Sequence, residues 1–346
     1  MRHSYKNKDD VILLLTDVTG KVEPVSMKER AERAAKGEFV RSIIIDEYEV
    51  SQEYKDIVHK HMDSYIEDMA KYVGILAEQL YQVKGKRLVL VDIVRAGIPI
   101  GILVKRYLKE FYDIDVYHYG ISLVKGLDRN AMHYIINKHG TEGIQFIDGW
   151  TGKGTVAKEV RNSAKDYIGV DDSLAVLSDC IKQAKYAGTR EDVYIPHSPL
   201  NAAVTGLVSI TVKNEVLTGP DGFHAALYLK DLGKDDESQS FVDKVCAKFT
   251  KQKPCEMDSQ NQVDDCEIDK IAEELKRDKK LLNPGINEAA RAVLRRELEK
   301  LIVYDKTDRD LIPLMELAKS KGVRVEEMPT LKGYKAVSVA NDNYVR

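Results

Sequence analysis

The chain has few cysteines, and their spacing does not suggest a metal or redox centre. Its 346 residues include Cys180, Cys246, Cys255 and Cys266. None of them belongs to a C-x-x-C pair, and no cysteine and histidine cluster has zinc-ligand spacing. We therefore expect reduced thiols and no metal held by a protein ligand set.

Long apolar runs and a strong charge of one sign are also missing. No apolar stretch approaches the length of a membrane span, so no membrane partner is expected. The first ten residues, M-R-H-S-Y-K-N-K-D-D, lack the apolar segment of a signal peptide. We expect a cytoplasmic protein. The formal net charge of −3 gives no global basic surface for nucleic acid.

The overall composition is that of a soluble protein, and the chain is long enough for two domains. Apolar residues make up 43% of the sequence and charged residues 32%, and both values are ordinary for globular proteins. Residues 248–280 are polar and charged with few apolar positions, which is typical of a linker. We therefore predict a first domain over residues 1–247, a charged linker over 248–280 and a second domain over 281–346.

A glycine-rich stretch over residues 144–155 is the most informative part of the sequence. It reads I-Q-F-I-D-G-W-T-G-K-G-T, and its apolar start predicts a buried strand over 144–147. A turn with three glycines follows, and then Val156, Val160 and Ala164 recur at helical spacing. A strand, a glycine-rich turn and a helix start together form a geometry that can hold a phosphate group. The lysine spacing excludes a Walker A loop, and a βα turn without a ligand is the alternative.

This stretch resembles the loop that binds phosphoribosyl pyrophosphate (PRPP) in type I phosphoribosyltransferases. The resemblance implies that Asp148 orients the ribose hydroxyls and that the following turn holds the 5'-phosphate. It therefore implies a PRPP site formed by Asp148, Gly149, Thr151, Gly152, Lys153, Gly154 and Thr155. The sequence departs from the family at two points, since Gly149 replaces a second acid and the loop is shorter.

A second candidate anion site follows the apolar run over residues 88–91, which predicts a central strand. Arg95, Ala96 and Gly97 come directly after it, where anions bind in open α/β sheets. The segment V-R-A-G resembles the pyrophosphate loop of phosphoribosyltransferases, closest to the uracil type, and Arg95 as a surface ion-pair residue is the alternative.

Lys125 and Arg129 flank a glycine in the segment after the strand predicted within 114–124. By resemblance they belong to a mobile lid that neutralises departing pyrophosphate, and we assign them a catalytic role with Asp148. A solvated charged turn is the alternative.

The second domain starts with a helix that carries three polar residues on its first turns. Asn287, Glu288 and Arg291 follow Gly285, and such a set can read base edges and a phosphate together. The segment G-I-N-E-A-A-R resembles the start of the L7Ae/Pelota RNA-binding domains, which implies binding of structured, kinked RNA by Gly285, Asn287, Glu288 and Arg291. A capped helix start without RNA is the alternative.

The two parts together resemble the phosphoribosyltransferase-like proteins associated with bacterial tellurite resistance, some of which are labelled cysteine proteases of the StiP family. The expected fold is α/β, with a type I phosphoribosyltransferase-like parallel sheet covered by helices on both faces and a small C-terminal α/β sandwich. The expected function is transfer from PRPP, with Mg²⁺, to an unknown base-like acceptor, linked to tellurite or stress resistance.

Two other functions stay open. The first is a PRPP- or nucleotide-binding, RNA-associated regulator without turnover. The second is a cysteine protease that uses Cys180, because Cys180 follows a strand predicted over 173–179 and His197 is near in sequence. No protease signature surrounds Cys180. The oligomeric state is open, with a homodimer as one option.

Overall fold

The computed structural model describes residues 1–47, 50–254 and 266–341. A six-stranded sheet organises residues 1–254, here called the N-terminal unit, and a four-stranded sheet organises residues 266–341, here called the C-terminal unit. The strands are β1 (Ile12–Leu13), β2 (Thr16–Asp17), β3 (Val89–Ile93), β4 (Tyr117–Ile121), β5 (Ile144–Trp150), β6 (Leu174–Ser178), β7 (Tyr186–Thr189), β8 (Ala225–Ala226), β9 (Leu282–Pro284), β10 (Leu298–Val303), β11 (Arg324–Glu327) and β12 (Ala336–Ala340). The helices are α1 (Met27–Ala35), α2 (Gln52–Lys84), α3 (Gly97–Tyr112), α4 (Arg129–His139), α5 (Thr155–Ala164), α6 (Glu215–Thr218), α7 (Ser238–Cys246), α8 (Cys266–Leu275), α9 (Ile286–Arg295) and α10 (Ile312–Ser320).

The six-stranded sheet is parallel and has the order β1-β4-β3-β5-β6-β7. Helices cover both of its faces, as the alternation along β3 illustrates. Val89 and Val91 pack with side chains of α4 and α5, whereas Leu90 points into a core with α2, α3 and α7. This two-sided burial is why β3, β5 and β6 are buried at every position.

Helix α2 has 33 residues and contacts both units. It starts where the Ser51 hydroxyl accepts the Tyr54 N–H and ends at Gly85, whose positive φ stops the helix. Tyr54 Oη donates to the Ala290 carbonyl at 3.2 Å, and Tyr65 Oη donates to the Arg309 carbonyl at 2.6 Å. The same helix therefore fixes the N-terminal sheet and the C-terminal unit to one another.

The C-terminal sheet has the order β11-β10-β12-β9. Strand β10 pairs with β11 in parallel and with β12 antiparallel, and β9 extends the sheet at the other side of β12. Helices α9 and α10 pack on one face, where Ile286, Ala290, Leu314 and Leu317 join the core shared with α2. The remaining pair, β2 with β8, forms a separate two-stranded sheet.

The predicted α/β architecture is confirmed at this level: a parallel sheet flanked by helices, with a small C-terminal sheet unit. The predicted strand over 144–147 continues to Trp150, so Asp148 and Gly149 lie inside a strand and not in the loop. The domain boundaries stay predictions. Cys255 and much of the predicted linker lie outside the described residues.

Candidate functional site

Residues 151–154 form the turn between β5 and α5, at the carboxyl edge of the parallel sheet. Gly154 has a φ of 73°, which favours glycine at the start of α5. Gly149 lies earlier, in the strand, where an added Cβ would be 3.2 Å from the Ala96 Cβ. Gly97 starts α3, and a Cβ there would be 2.7 Å from the Ile147 carbonyl oxygen. Both glycines therefore serve the close approach of α3 to β5.

The polar groups of this turn make hydrogen bonds within the protein. Thr151 donates its hydroxyl to Asp179 Oδ1 at 2.6 Å and its N–H to the Ser178 carbonyl at 3.0 Å. Lys153 Nζ donates to the Lys279 carbonyl of the C-terminal unit at 2.8 Å. The two side chains to which 5'-phosphate contacts were assigned thus bond to other groups of the protein.

Asp148 is a buried carboxyl at the end of β5. Burial raises its pKa to about 7, against the lowering effects of the Gly149 N–H and Arg291. Its Oδ1 accepts the N–H of Gly149 at 2.7 Å. Near neutral pH this carboxyl is therefore divided between its neutral and ionised forms.

Arg95 is paired with a carboxylate of the same unit. Its guanidinium contacts both carboxylate oxygens of Glu47, and Nη1 donates to the Val208 carbonyl at 3.2 Å. Arg295 of α9 approaches Glu47 Oε1 at 3.6 Å. Burial acts to raise the pKa of Glu47, but Arg95 and Arg295 outweigh it and keep the pKa below its usual value. Arg95 thus helps to bind α9 through a shared carboxylate.

The start of α9, where RNA contacts are predicted, docks onto the N-terminal unit. Asp192 Oδ1 accepts the Ile286 N–H at 3.0 Å, and Oδ2 accepts the Lys335 N–H at 2.8 Å. The Asn287 amide accepts the Ile195 N–H at 2.9 Å and donates to the Val193 carbonyl at 2.9 Å. An aspartate of the N-terminal unit therefore occupies the place of a helix cap, next to Gly285 with its φ of 87°.

Glu288 and Arg291 line an interdomain cavity of about 300 Å³ together with the glycine-rich turn. Glu288 Oε1 accepts the Trp150 indole N–H at 3.1 Å and pairs with Arg291 at 3.0 Å. A Cβ at Gly152 would lie 2.8 Å from Glu288 Cγ, so the turn and α9 touch directly. The predicted nucleotide residues and the predicted RNA residues are therefore brought together at one interface.

Lys125 and Arg129 lie elsewhere, in a cavity of about 830 Å³ on the N-terminal unit. Lys158 and Lys213 line the same cavity, and we call the surface formed by these four cations the basic cleft. All four side chains are exposed. Thr155 lines both the basic cleft and the interdomain cavity, so the two are adjacent.

Cys180 is buried under the C-terminal unit. It packs with Ile268, Leu331 and Tyr334 in an apolar cluster. Burial, and then the carboxylates of Asp192 and Asp179, raise the pKa of the thiol well above its ordinary value. A proton therefore stays on the sulfur in this arrangement.

His197 has different surroundings. Its ring lies against Phe241, with ring centroids 5.0 Å apart, and against Trp150 at 6.1 Å. Burial lowers the pKa of His197 to about 3. Within the described parts of the chain, no contact joins this ring to the Cys180 thiol.

Neither a cluster of metal ligands nor a membrane-spanning helix occurs among the described residues. Within 1–47, 50–254 and 266–341, no group of three or more histidine, cysteine or acidic side chains could hold a metal ion. No helix in those ranges is both long enough and apolar enough to cross a membrane.

Comparison with known proteins identifies both parts of the chain. Residues 3–246 match the family described as "Tellurite-like stress resistance cysteine protease StiP". The chain belongs to the StiP family. Residues 263–342 match the PELOTA RNA binding domain. A protein of Acinetobacter baylyi named "Cysteine protease StiP" is 30% identical over 312 residues, which cover 84% of this chain and 81% of that protein. No solved structure matches this StiP family member.

These matches correct the functional prediction. The tellurite-like stress family and the Pelota domain are confirmed, but the prediction of a phosphoribosyltransferase enzyme is wrong, because the family and the Acinetobacter relative are both named as cysteine proteases. The PRPP and acceptor partners lose their support with it. The prediction of bound Mg²⁺ depended on a pyrophosphate leaving group, and it stays a prediction.

Sequence reasoning missed residues that connect the two units. Asp192, Glu47 and Trp150 each make a contact with α9. Nothing in their local sequence marks them, since each contact joins residues more than 90 positions apart. Lys158 and Lys213 were missed because a single lysine in a charged sequence is ordinary.

Proposed function

We propose that this chain acts in a tellurite-like stress response as a cysteine protease with Cys180 as its nucleophile. The observation that carries the proposal is the 30% identity, over 84% of the chain, to the Acinetobacter protein named "Cysteine protease StiP". In the expected reaction the Cys180 thiolate attacks a peptide carbonyl, the amine leaves as it takes up a proton, and water hydrolyses the thioester.

The position of Cys180 supports this choice among the described cysteines. It follows Asp179 directly after β6, at the carboxyl edge of the parallel sheet, where open α/β sheets place their reacting groups. Cys246 instead ends α7, and burial raises the pKa of its thiol to about 11. In the docked arrangement the Cys180 thiol is protonated and enclosed, so the proposal requires the C-terminal unit to move before substrate enters.

Hydrolysis of an unfolded, fluorescently labelled protein tests the proposal. Cys180→Ser should abolish thiol-dependent cleavage, since a serine hydroxyl without an activating base is a poor nucleophile. Cys246→Ser is the matched control and should retain it. Circular dichroism and thermal unfolding should be unchanged in both variants. Full cleavage by Cys180→Ser would exclude this residue as the nucleophile.

We also propose that the C-terminal unit binds structured RNA, because residues 263–342 match an RNA-binding domain. The residues expected to contact RNA are Gly285, Asn287, Glu288 and Arg291. In the docked arrangement Asn287 is almost fully buried and bonded to Ile195 and Val193. RNA contact by Asn287 therefore requires α9 to leave the N-terminal unit.

A titration with the full chain tests this second proposal. A kinked duplex with G·A pairs should bind more tightly than a straight duplex, and Asp192→Ala should increase the affinity because it weakens docking. Asn287→Ala in the Asp192→Ala background should remove the preference for the kinked duplex. Equal binding of both duplexes by all variants would contradict the residue assignment.

A further inference from the structure

The basic cleft differs from the rest of the described surface in how its charges are compensated. Ion pairs of 4.0 Å or less involve many lysine and arginine side chains, on both units. In the part of the chain that the structure describes, Lys125, Arg129, Lys158 and Lys213 have no carboxylate within that distance. Four cations without a counter-charge around one cavity repel each other, and a bound polyanion would relieve that repulsion.

The carboxylates in the cleft do not cancel this charge. Glu159 is committed to other groups, since its Oε1 accepts the Gly126 N–H at 2.9 Å and approaches Arg41 at 3.7 Å. Asp166 also lines the cleft and is exposed, so two lining carboxylates face four cations. Asp128 is buried and caps α4 by accepting the Asn130 and Ala131 N–H groups. The cleft therefore presents a positive field to a ligand.

Two aromatic rings lie near the cations. The Lys125 ammonium is 3.8 Å from the centroid of the Phe39 ring. Tyr167 lines the cleft and meets His133 edge to face, with centroids 6.0 Å apart. Cations that follow a phosphate backbone, with rings on which bases stack, are the two elements of single-strand recognition.

The cleft continues toward the RNA-binding unit. Thr155 lines both cavities, and beyond it the interdomain cavity carries Lys153, Arg291 and Arg296. In the docked arrangement, cations therefore continue from the basic cleft across the start of α5 to α9. A single strand can follow the basic cleft with its phosphates on one side.

We propose that the basic cleft binds single-stranded RNA. The proposal rests on the RNA-binding part of the proposed function and adds a second, separate site on the N-terminal unit. Phosphates contact Lys125, Arg129, Lys158 and Lys213, and bases stack on Phe39 and Tyr167. Recognition by backbone and stacking implies little sequence preference.

The first test is a fluorescence titration of the full chain with an oligouridylate of about ten nucleotides, at several salt concentrations. The double variant Lys158→Glu, Lys213→Glu should bind on the order of tenfold more weakly or worse, with the magnitude of its salt slope smaller by about 1.4 for two lost phosphate contacts. Lys86→Glu is the matched control, because Lys86 is exposed just before β3, at the opposite edge of the sheet. Equal affinity of the double variant and the control would overturn the proposal.

The second test locates the bound strand. An oligonucleotide with 4-thiouridine is photo-crosslinked to the full chain, and mass spectrometry should find crosslinks in the peptides of Phe39 and Tyr167. Crosslinks confined to residues 281–341 would overturn the cleft site and leave RNA binding by the C-terminal unit intact. Absence of binding by any RNA would overturn both proposals. Displacement of the RNA by oligoglutamate at equal concentration would also overturn the cleft proposal, since the cleft would then bind polyacids in general.

Discussion

The interdomain face and the basic cleft are adjacent, but they differ in whether their charged side chains have partners within the protein. At the interdomain face, Asp192, Glu288 and Arg95 all have partners within the protein. In the basic cleft, Lys158 and Lys213 have none among the described carboxylates. Partnered groups at a buried face stabilise one arrangement of the chain, whereas unpartnered charges on a concave surface contribute little to stability and are available to a ligand. The glycine-rich turn and the start of α9, which are the clearest motifs in the sequence, belong to the partnered kind.

The largest effect should come from Asp192→Ala. This change leaves the buried N–H of Ile286 and the partly buried N–H of Lys335 without their acceptor, which should weaken docking by about 3 kcal/mol. Trp150 is the single tryptophan of the chain and bonds Glu288 across the interface. In the variant, the shift of its emission to longer wavelength should therefore occur at a lower urea concentration than in the parent. Asp231→Ala is the control, because Asp231 is exposed and joins no ion pair within the described residues. Unfolding curves that coincide would mean that Asp192 does not hold the units together.

A pH-dependent effect should follow from Asp148. Its pKa is raised to about 7 by burial, so the folded chain binds a proton that the unfolded chain releases at lower pH. This stabilisation is present at acidic pH and is lost as the pH rises toward 7. Asp148→Asn lacks the titration, and its stability relative to the parent should rise by up to about 1.4 kcal/mol per pH unit between pH 5 and 7. Chemical unfolding at several pH values measures the difference, with Asp231→Asn as control. A difference that does not vary with pH would show that Asp148 titrates normally.

Gly152→Ala should have a moderate effect. The new Cβ would lie 2.8 Å from Glu288 Cγ, so Glu288 has to move away from Trp150 and Arg291, at a cost of about 1–2 kcal/mol. Gly233→Ala is a matched control, since a Cβ there meets nothing within 4 Å. Equal thermal stability of the two variants would show that α9 does not approach the turn this closely.

The smallest effect should come from neutralising the basic cleft. Lys158→Gln and Lys213→Gln should change the free energy of unfolding by less than about 0.5 kcal/mol, because neither side chain has a described partner to lose. Urea unfolding of each variant checks this. A loss similar to that of Gly152→Ala would assign the lysines to structure and remove the contrast with the interdomain face.

The central strands of the N-terminal sheet could be predicted from the sequence, because an apolar run lies within a single strand. Apolar runs over 88–91, 144–147 and within 173–179 predict β3, β5 and β6, and each of these strands is present. The prediction placed Asp148 at the strand end and Gly149 in the turn, because nothing local in the sequence shows that β5 extends to Trp150. Glycine spacing predicted a phosphate cradle, but Gly149 and Gly97 serve the packing of α3 on β5.

The interface between the two units could not be predicted from the sequence, and the reason is physical. Asn287 and Glu288 are as suitable for base edges as for a neighbouring backbone, and only the fold decides which of these they meet. Here Asn287 meets Val193 and Ile195. Thr151 and Lys153 likewise suit a phosphate, but here they bond to Asp179 and Lys279.

The contact between Asp192 and Lys335 also has a consequence for how the protein is made. The two residues are 143 positions apart, so a ribosome finishes Asp192 long before it reaches the strand that follows Lys335. During that interval Ile181, on the N-terminal unit, lacks its apolar partners Leu331 and Val337, and chaperones can bind the uncovered surface. A chain whose translation stops before Ala336 lacks β12, the strand that pairs with both β10 and β9, and leaves that surface uncovered. The apolar surface of the N-terminal unit therefore stays exposed until β12 has been synthesised and has joined the C-terminal sheet.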